Sequence, residues 1–139
     1  MDELLALRLR PQQDAARRAR QALAPVLGAL DPDIRSNVSL LASELVTSSV
    51  RRLGQLPAET IVLRVVRRPT VLRVEVRDPG PLFPPPVSGQ SSGWSILQET
   101  GPAGDPTGWG LYIVNRLASR WGITVDRGTE VWFELDVRD

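Results

Sequence analysis

The feature that most constrains this chain is a single long amphipathic helix written between Asp31 and Leu53. Asp31-Pro32-Asp33 is a helix start, with a capping acid, a proline at the first helical position and a second acid in the first turn. At 100° per residue, Ile34, Val38, Leu41 and Leu45 fall within about 60° of one another. So narrow an apolar face must pack on another apolar surface. Glu44 and Ser48, four residues apart, lie together beside that face. Gly54 is the expected stop.

Strands are expected on both sides of the helix. Leu5, Leu7 and Leu9 alternate with Ala6, Arg8 and Arg10, a short first strand ended by Pro11. Gln12 to about Leu30 has helical spacing, with Ala15, Ala19, Ala22, Leu23 and Val26 on one stripe, and with Pro25 predicting a break near Ala24 or a kink. Thr60–Arg67 and Thr70–Asp78 read as an antiparallel hairpin around Arg68-Pro69-Thr70, one face buried and the other wet. Pro79 to Thr107 shows no periodicity and is rich in proline and glycine, so 81–107 is expected to be a mobile lid. Gly108 to Arg120 reads as a helix, with Leu111, Val114, Leu117 and Ala118 as its buried stripe. Trp121–Val125 reads as a strand, Arg127-Gly128 as a turn, and Glu130–Val137 as a strand that buries Val131, Phe133, Leu135 and Val137. This order predicts one α+β domain over residues 1–139, a two-layer α/β sandwich with helices on one face of a mixed, mostly antiparallel sheet.

Composition removes whole classes of chemistry. The 139 residues contain no cysteine and no histidine, and all 17 basic residues are arginine. Thiolate nucleophiles, zinc-thiolate sites, phosphohistidine, a P-loop lysine and a Schiff base are therefore excluded. Net charge is +1, which gives no general field for nucleic acid, so no direct nucleic-acid partner is expected. No apolar run reaches the ~20 residues needed to cross a bilayer, and the acidic start is unlike a signal peptide, so the expectation is a cytoplasmic protein with no membrane partner. Local arginine clusters at 17–20, 51–52 and 64–68 fit either a solvated surface or an acidic protein partner.

Three segments place polar or glycine-rich elements beside apolar ones. Asp78-Pro79-Gly80-Pro81 ends a strand with a carboxylate followed by a glycine that permits close approach. Gly108-Trp109-Gly110-Leu111 opens a helix with bare backbone amides, which favour anions. Glu44 and Ser48 share one side of the long helix. Taken singly, each has a bland reading: a turn, a loop and a solvated acid.

In this order and spacing the chain resembles the GHKL (HATPase_c) ATP-binding superfamily, and within it the bacterial anti-sigma factor serine kinase branch of the RsbW and SpoIIAB type. Ser43-Glu44-Leu45-Val46-Thr47-Ser48-Ser49-Val50-Arg51-Arg52 is similar to that branch's S-E-L-V-T-N-A-V-R-H helix. Val74 to Pro81 is similar to its V-x-V-x-D-x-G motif, and Gly108 to Val114 to its G-x-G-L-x-x-V motif. The resemblance implies the Bergerat fold with a long ATP lid, ATP or ADP with Mg²⁺ as cofactors, a sigma factor and a STAS-domain anti-anti-sigma protein as partners, and a homodimer. It implies that Glu44 activates a substrate serine, that Asp78 reads the adenine amino group, and that Gly80 admits the purine. Gly108, Gly110 and Leu111 would meet the phosphates, Arg52 would join the nucleotide site, and Ser48 would hold both nucleotide and metal.

The departures lie in the same helix. Ser48 stands where the branch has its magnesium-binding asparagine, Ser49 where it has alanine, and Arg52 where it has histidine; Trp109 replaces the common basic residue of G-x-G. A hydroxyl is a hard oxygen donor but shorter than an asparagine amide. The resemblance therefore implies a serine protein kinase weakened at Ser48. Two alternatives stay open: a protein-interaction module that has lost ATP turnover or binding, and a detached sensor-kinase catalytic domain.

Overall fold

A computed structural model describes residues 2–53, 60–80, 90–92, 113–125 and 127–137. Six strands form one sheet in the order β1-β2-β3-β6-β5-β4. They are β1 (Asp2–Leu9), β2 (Ile61–Arg68), β3 (Val71–Asp78), β4 (Gln90–Ser92), β5 (Arg120–Val125) and β6 (Thr129–Asp136). Every pairing among them is antiparallel. Helices α1 (Ala15–Val26) and α2 (Pro32–Leu53) cover one face. This is the expected two-layer α/β sandwich.

Period-2 patterning decides which face meets the helices. Leu72, Val74 and Val76 of β3 and Val131 and Phe133 of β6 point inward, all at most 3% exposed. They pack with Ile61, Leu63 and Val65 of β2 and with Val38, Leu41 and Leu45 of α2. The narrow apolar stripe of α2 thus finds its partner in the sheet, with Ile34 half-buried at its first turn. Helix α1 lies on α2 and β1 through Ala15, Ala19 and Leu23, while Ala22 and Val26 are only half-buried. No helix among the described residues is long and apolar enough to cross a membrane.

Several boundaries differ from expectation, each for a local reason. The first strand begins at Asp2, because the whole segment pairs with β2 through a bulge between Glu3 and Leu5. Helix α1 starts at Ala15 and ends at Val26, one residue beyond Pro25. Pro25 has no N–H to donate back to the Gln21 carbonyl, and the helix ends one residue after it, with the Leu27 N–H closing on the Leu23 carbonyl, rather than kinking through to Leu30. The hairpin strands start one residue late, because Arg68 pairs with Val71 and leaves Pro69 and Thr70 as the turn. Residues 90–92, expected in an unstructured lid, pair with Gly122–Thr124 as an edge strand. The helix expected over Gly108–Arg120 is helical at 113–117, and Arg120 opens β5. The Ser119 N–H already donates to the Glu134 carbonyl, so the chain has joined the sheet. Val114 is buried as expected, but Leu117 is 38% exposed at the last helical residue, and residues 108–112 lie outside the described residues. Gly54 and the rest of 81–107 lie outside the described residues.

Candidate functional site

The last residue of β3 is a carboxylate turned toward the core side of the sheet. Asp78 is 2% exposed, because it continues the inward alternation of Leu72, Val74 and Val76. A buried carboxylate is costly unless its oxygens are hydrogen-bonded. Here the Ser49 hydroxyl of α2 donates to Asp78 Oδ2 at 2.7 Å, and the Gly80 backbone N–H donates to Oδ1 at 2.8 Å. Ser49 is itself fully buried.

A second layer of contacts fixes this corner. Thr129 lies opposite Asp78 in the β3–β6 register, and its hydroxyl donates to the Gly80 carbonyl at 2.8 Å. The β5–β6 turn closes over the same place. Gly128 has φ +142°, and a Cβ there would stand 2.4 Å from the Asp78 carbonyl oxygen. Only glycine fits both that dihedral and that approach. Gly80 is closely approached by side chains: a Cβ would lie 2.8 Å from a Leu53 methyl and 3.2 Å from Asp78 Oδ1. Helix α2, the end of β3 and the start of β6 thus converge on one carboxylate.

Helix α2 carries the other described candidates past this corner. Ser48, next to Ser49, is 4% exposed. Glu44, one turn earlier, is half-buried and lines a groove of about 640 Å³ between α1 and α2. Leu23, Ala24, Leu27 and Leu40 supply its apolar wall, and Leu40 is 43% exposed. Arg20 and Arg35 flank it; Arg20 Nη1 donates to Ser43 Oγ at 3.2 Å, and Ser43 Oγ donates to the Ser39 carbonyl at 2.8 Å. The structure therefore brings Ser49, Asp78 and Gly80 into direct contact and sets Glu44 on the groove. Gly108, Gly110, Leu111, Trp109 and the side chain of Arg52 lie outside the described residues. Among the described residues no group of three or more acids could hold a metal.

Sequence reasoning missed three partners in this region. Ser49 was visible only as a departure from alanine, and its partner lies 29 residues away. Thr129 fell between the expected turn and the expected strand and was assigned no role, and Arg20 was read only as part of an arginine cluster. An inward period-2 position continued past Val76 would have marked Asp78 as buried and in need of donors.

Comparison with known proteins agrees with this architecture. No curated protein gives a match. A solved structure, described as the RsbU and RsbW domains of Rv1364c from Mycobacterium tuberculosis, superposes with a TM-score of 0.69 at 19% identity. It matches all of this chain, which spans 34% of that longer one. At such identity the likeness establishes the fold. The sequence profile of the histidine kinase-like ATPase domain matches residues 9–135, from the end of β1 into β6. A match over nearly the whole chain, on a sheet and helix layer of the same fold, shows that the chain belongs to the histidine kinase-like ATPase domain family.

Proposed function

We propose that this domain binds adenine nucleotide at the Asp78 corner and acts as an anti-sigma-factor-like regulator, with serine kinase chemistry weakened at Ser48. The observation that carries the reading is the buried Asp78 carboxylate, oriented through both oxygens by Ser49 and Gly80. An ionised carboxylate offers about four acceptor sites, so it has capacity for an exocyclic amino donor beyond these two. The donors fix its orientation before any ligand arrives, which lowers the cost of binding.

The residues fit the cofactor unevenly. Asp78, Gly80 and the neighbouring Ser49 suit an adenine ring. For magnesium the described chain offers Ser48, a single hydroxyl oxygen, beside the oxygens of the nucleotide itself. Bound magnesium would supply charge neutralisation at the phosphates. Glu44, half-buried with no ion pair or hydrogen bond among the described residues, would accept the proton of a substrate hydroxyl. The groove that Glu44 lines, with exposed Leu40 between Arg20 and Arg35, is the surface that suits a protein partner: a sigma factor or a STAS-domain antagonist.

Ser48 also favours a second reading, in which the partner surface is retained and turnover is lost. Titration calorimetry with ATP, ADP and GTP, with and without Mg²⁺, tests the proposal. Adenine nucleotides should bind in preference to GTP, with only a small gain from Mg²⁺. Absence of any binding by ATP or ADP refutes the nucleotide reading and leaves the interaction module.

A further inference from the structure

Ser49 holds a place in α2 where an apolar residue would serve the packing. It continues the buried stripe of Ala42 and Leu45 and is itself fully buried. A hydroxyl in such a place costs free energy unless it is bonded. The similar S-E-L-V-T-N-A-V-R-H helix has alanine there, so the hydroxyl belongs to this chain's own version of the corner. Its bond to Asp78 Oδ2 at 2.7 Å shows what it serves.

That bond adds something to the one from Gly80. The χ2 torsion of an aspartate is broad and roughly two-fold. The Gly80 N–H anchors one oxygen; the Ser49 hydroxyl, arriving from a different element, anchors the other and with it the carboxylate plane. Three protons at the corner are then committed inward: Ser49 Oγ–H to Oδ2, the Gly80 N–H to Oδ1 and the Thr129 hydroxyl to the Gly80 carbonyl. These groups turn no proton toward a ligand, and an ionised carboxylate offers acceptor sites alone.

We propose that Ser49 is a positioning residue that sets purine selectivity: through Asp78 it presents an acceptor in fixed orientation to the amino group at purine position 6, and so turns away a 6-oxo purine. The proposal rests on the nucleotide reading given above. Ser49, fully buried, touches no ligand itself. Its hydroxyl is also convertible, since it can accept as well as donate, whereas the Gly80 N–H can only donate. An asparagine at position 78 would therefore keep its oxygen on Gly80 and set its amide nitrogen against Ser49 Oγ. The serine proton would pass to the carbonyl one turn back, as helical serines allow. The second amide hydrogen would face the ligand. One substitution thus exchanges an acceptor for a donor and makes the 6-oxo purine the preferred one.

Calorimetry with ATP and ITP, which share ribose and triphosphate and differ in the amino or oxo group at position 6, tests this. Wild type should bind ATP in preference to ITP. Ser49→Ala should lower the ATP-to-ITP affinity ratio by about tenfold, the equivalent of one modest hydrogen bond. A residue that only supported the fold would leave that ratio unchanged. Asp78→Asn should invert the preference, and adding Ser49→Ala to it should abolish the inversion. If Ser49→Ala loses its fold by circular dichroism, Asp78→Asn decides alone, because it keeps the bonds to Gly80 and Ser49. A folded Ser49→Ala chain with the wild-type ratio, or a folded Asp78→Asn chain that still prefers ATP, overturns the role of Ser49 while wild-type ATP binding leaves the nucleotide reading standing. A wild-type chain that binds neither nucleotide overturns both.

Discussion

Ser49 and Asp78 form a buried pair in which each group justifies the other. The hydroxyl donates to a carboxylate oxygen taken out of water, and the carboxylate accepts from a hydroxyl in the heart of α2. Substituting only Ser49 by alanine leaves Asp78 Oδ2 without this donor, and should cost about 1–3 kcal/mol of stability in urea denaturation. Asp78→Asn has a different signature. An asparagine can accept from the Gly80 N–H through its oxygen and donate to Ser49 Oγ through its amide, so the fold is kept. The amide then faces an adenine amino group with a donor instead of an acceptor. Calorimetry should show ATP affinity lowered by about 1–3 kcal/mol with little change in the melting curve. A full-strength ATP isotherm would remove Asp78 from base recognition.

At the scale of elements, α2 is the most legible part of the chain. Its start signal, its apolar stripe and its length were all local, and the structure places Pro32–Leu53 as expected. The β2–β3 hairpin and β6 were legible for the same reason: strict alternation at short range. What could not be read was non-local or too brief to carry a period. The placement of β6 between β3 and β5 depends on pairing across the whole chain, and β4 has only three residues. The Asp78 corner was half legible: the acid and glycine stood in a motif, but Ser49 and Thr129 reach it from other elements. On α2 itself, Ser48→Asn lengthens the oxygen donor one turn from Glu44. If Ser48 is the sole defect, magnesium should then enhance ATP affinity clearly more than in wild type, measured by calorimetry with and without the ion. Magnesium dependence unchanged from wild type would remove Ser48 as the position that limits metal binding.

Across the whole molecule, one sheet face is buried by helices and the other is closed by charge. Arg73 lies over the Trp132 ring at 4.2 Å, and Trp132 in turn lies across Gly122, where a Cβ would come within 2.8 Å of the ring. Glu134 sits at the centre, only 8% exposed although it is on the outer face. Arg120 holds it at 2.9 Å and Arg73 at 3.2 Å, with Arg68 near by. Burial alone raises the Glu134 pKa, but the hydrogen bonds from Arg120 and Arg73 outweigh it and leave the pKa lowered. A depressed folded-state pKa means that the unfolded chain binds the proton first. The contribution of Glu134 is therefore complete above its unfolded value of about 4.3 and is lost as pH falls through the folded value. Guanidinium groups stay charged throughout, so acid acts on these ion pairs through their carboxylates. Glu134→Gln should accordingly be less stable than wild type at pH 7, and the gap should narrow steadily below about pH 4.3. Urea midpoints for both chains between pH 7 and pH 3 measure it. A gap that stays constant over that range would mean that Glu134 holds the sheet by shape and packing rather than by charge.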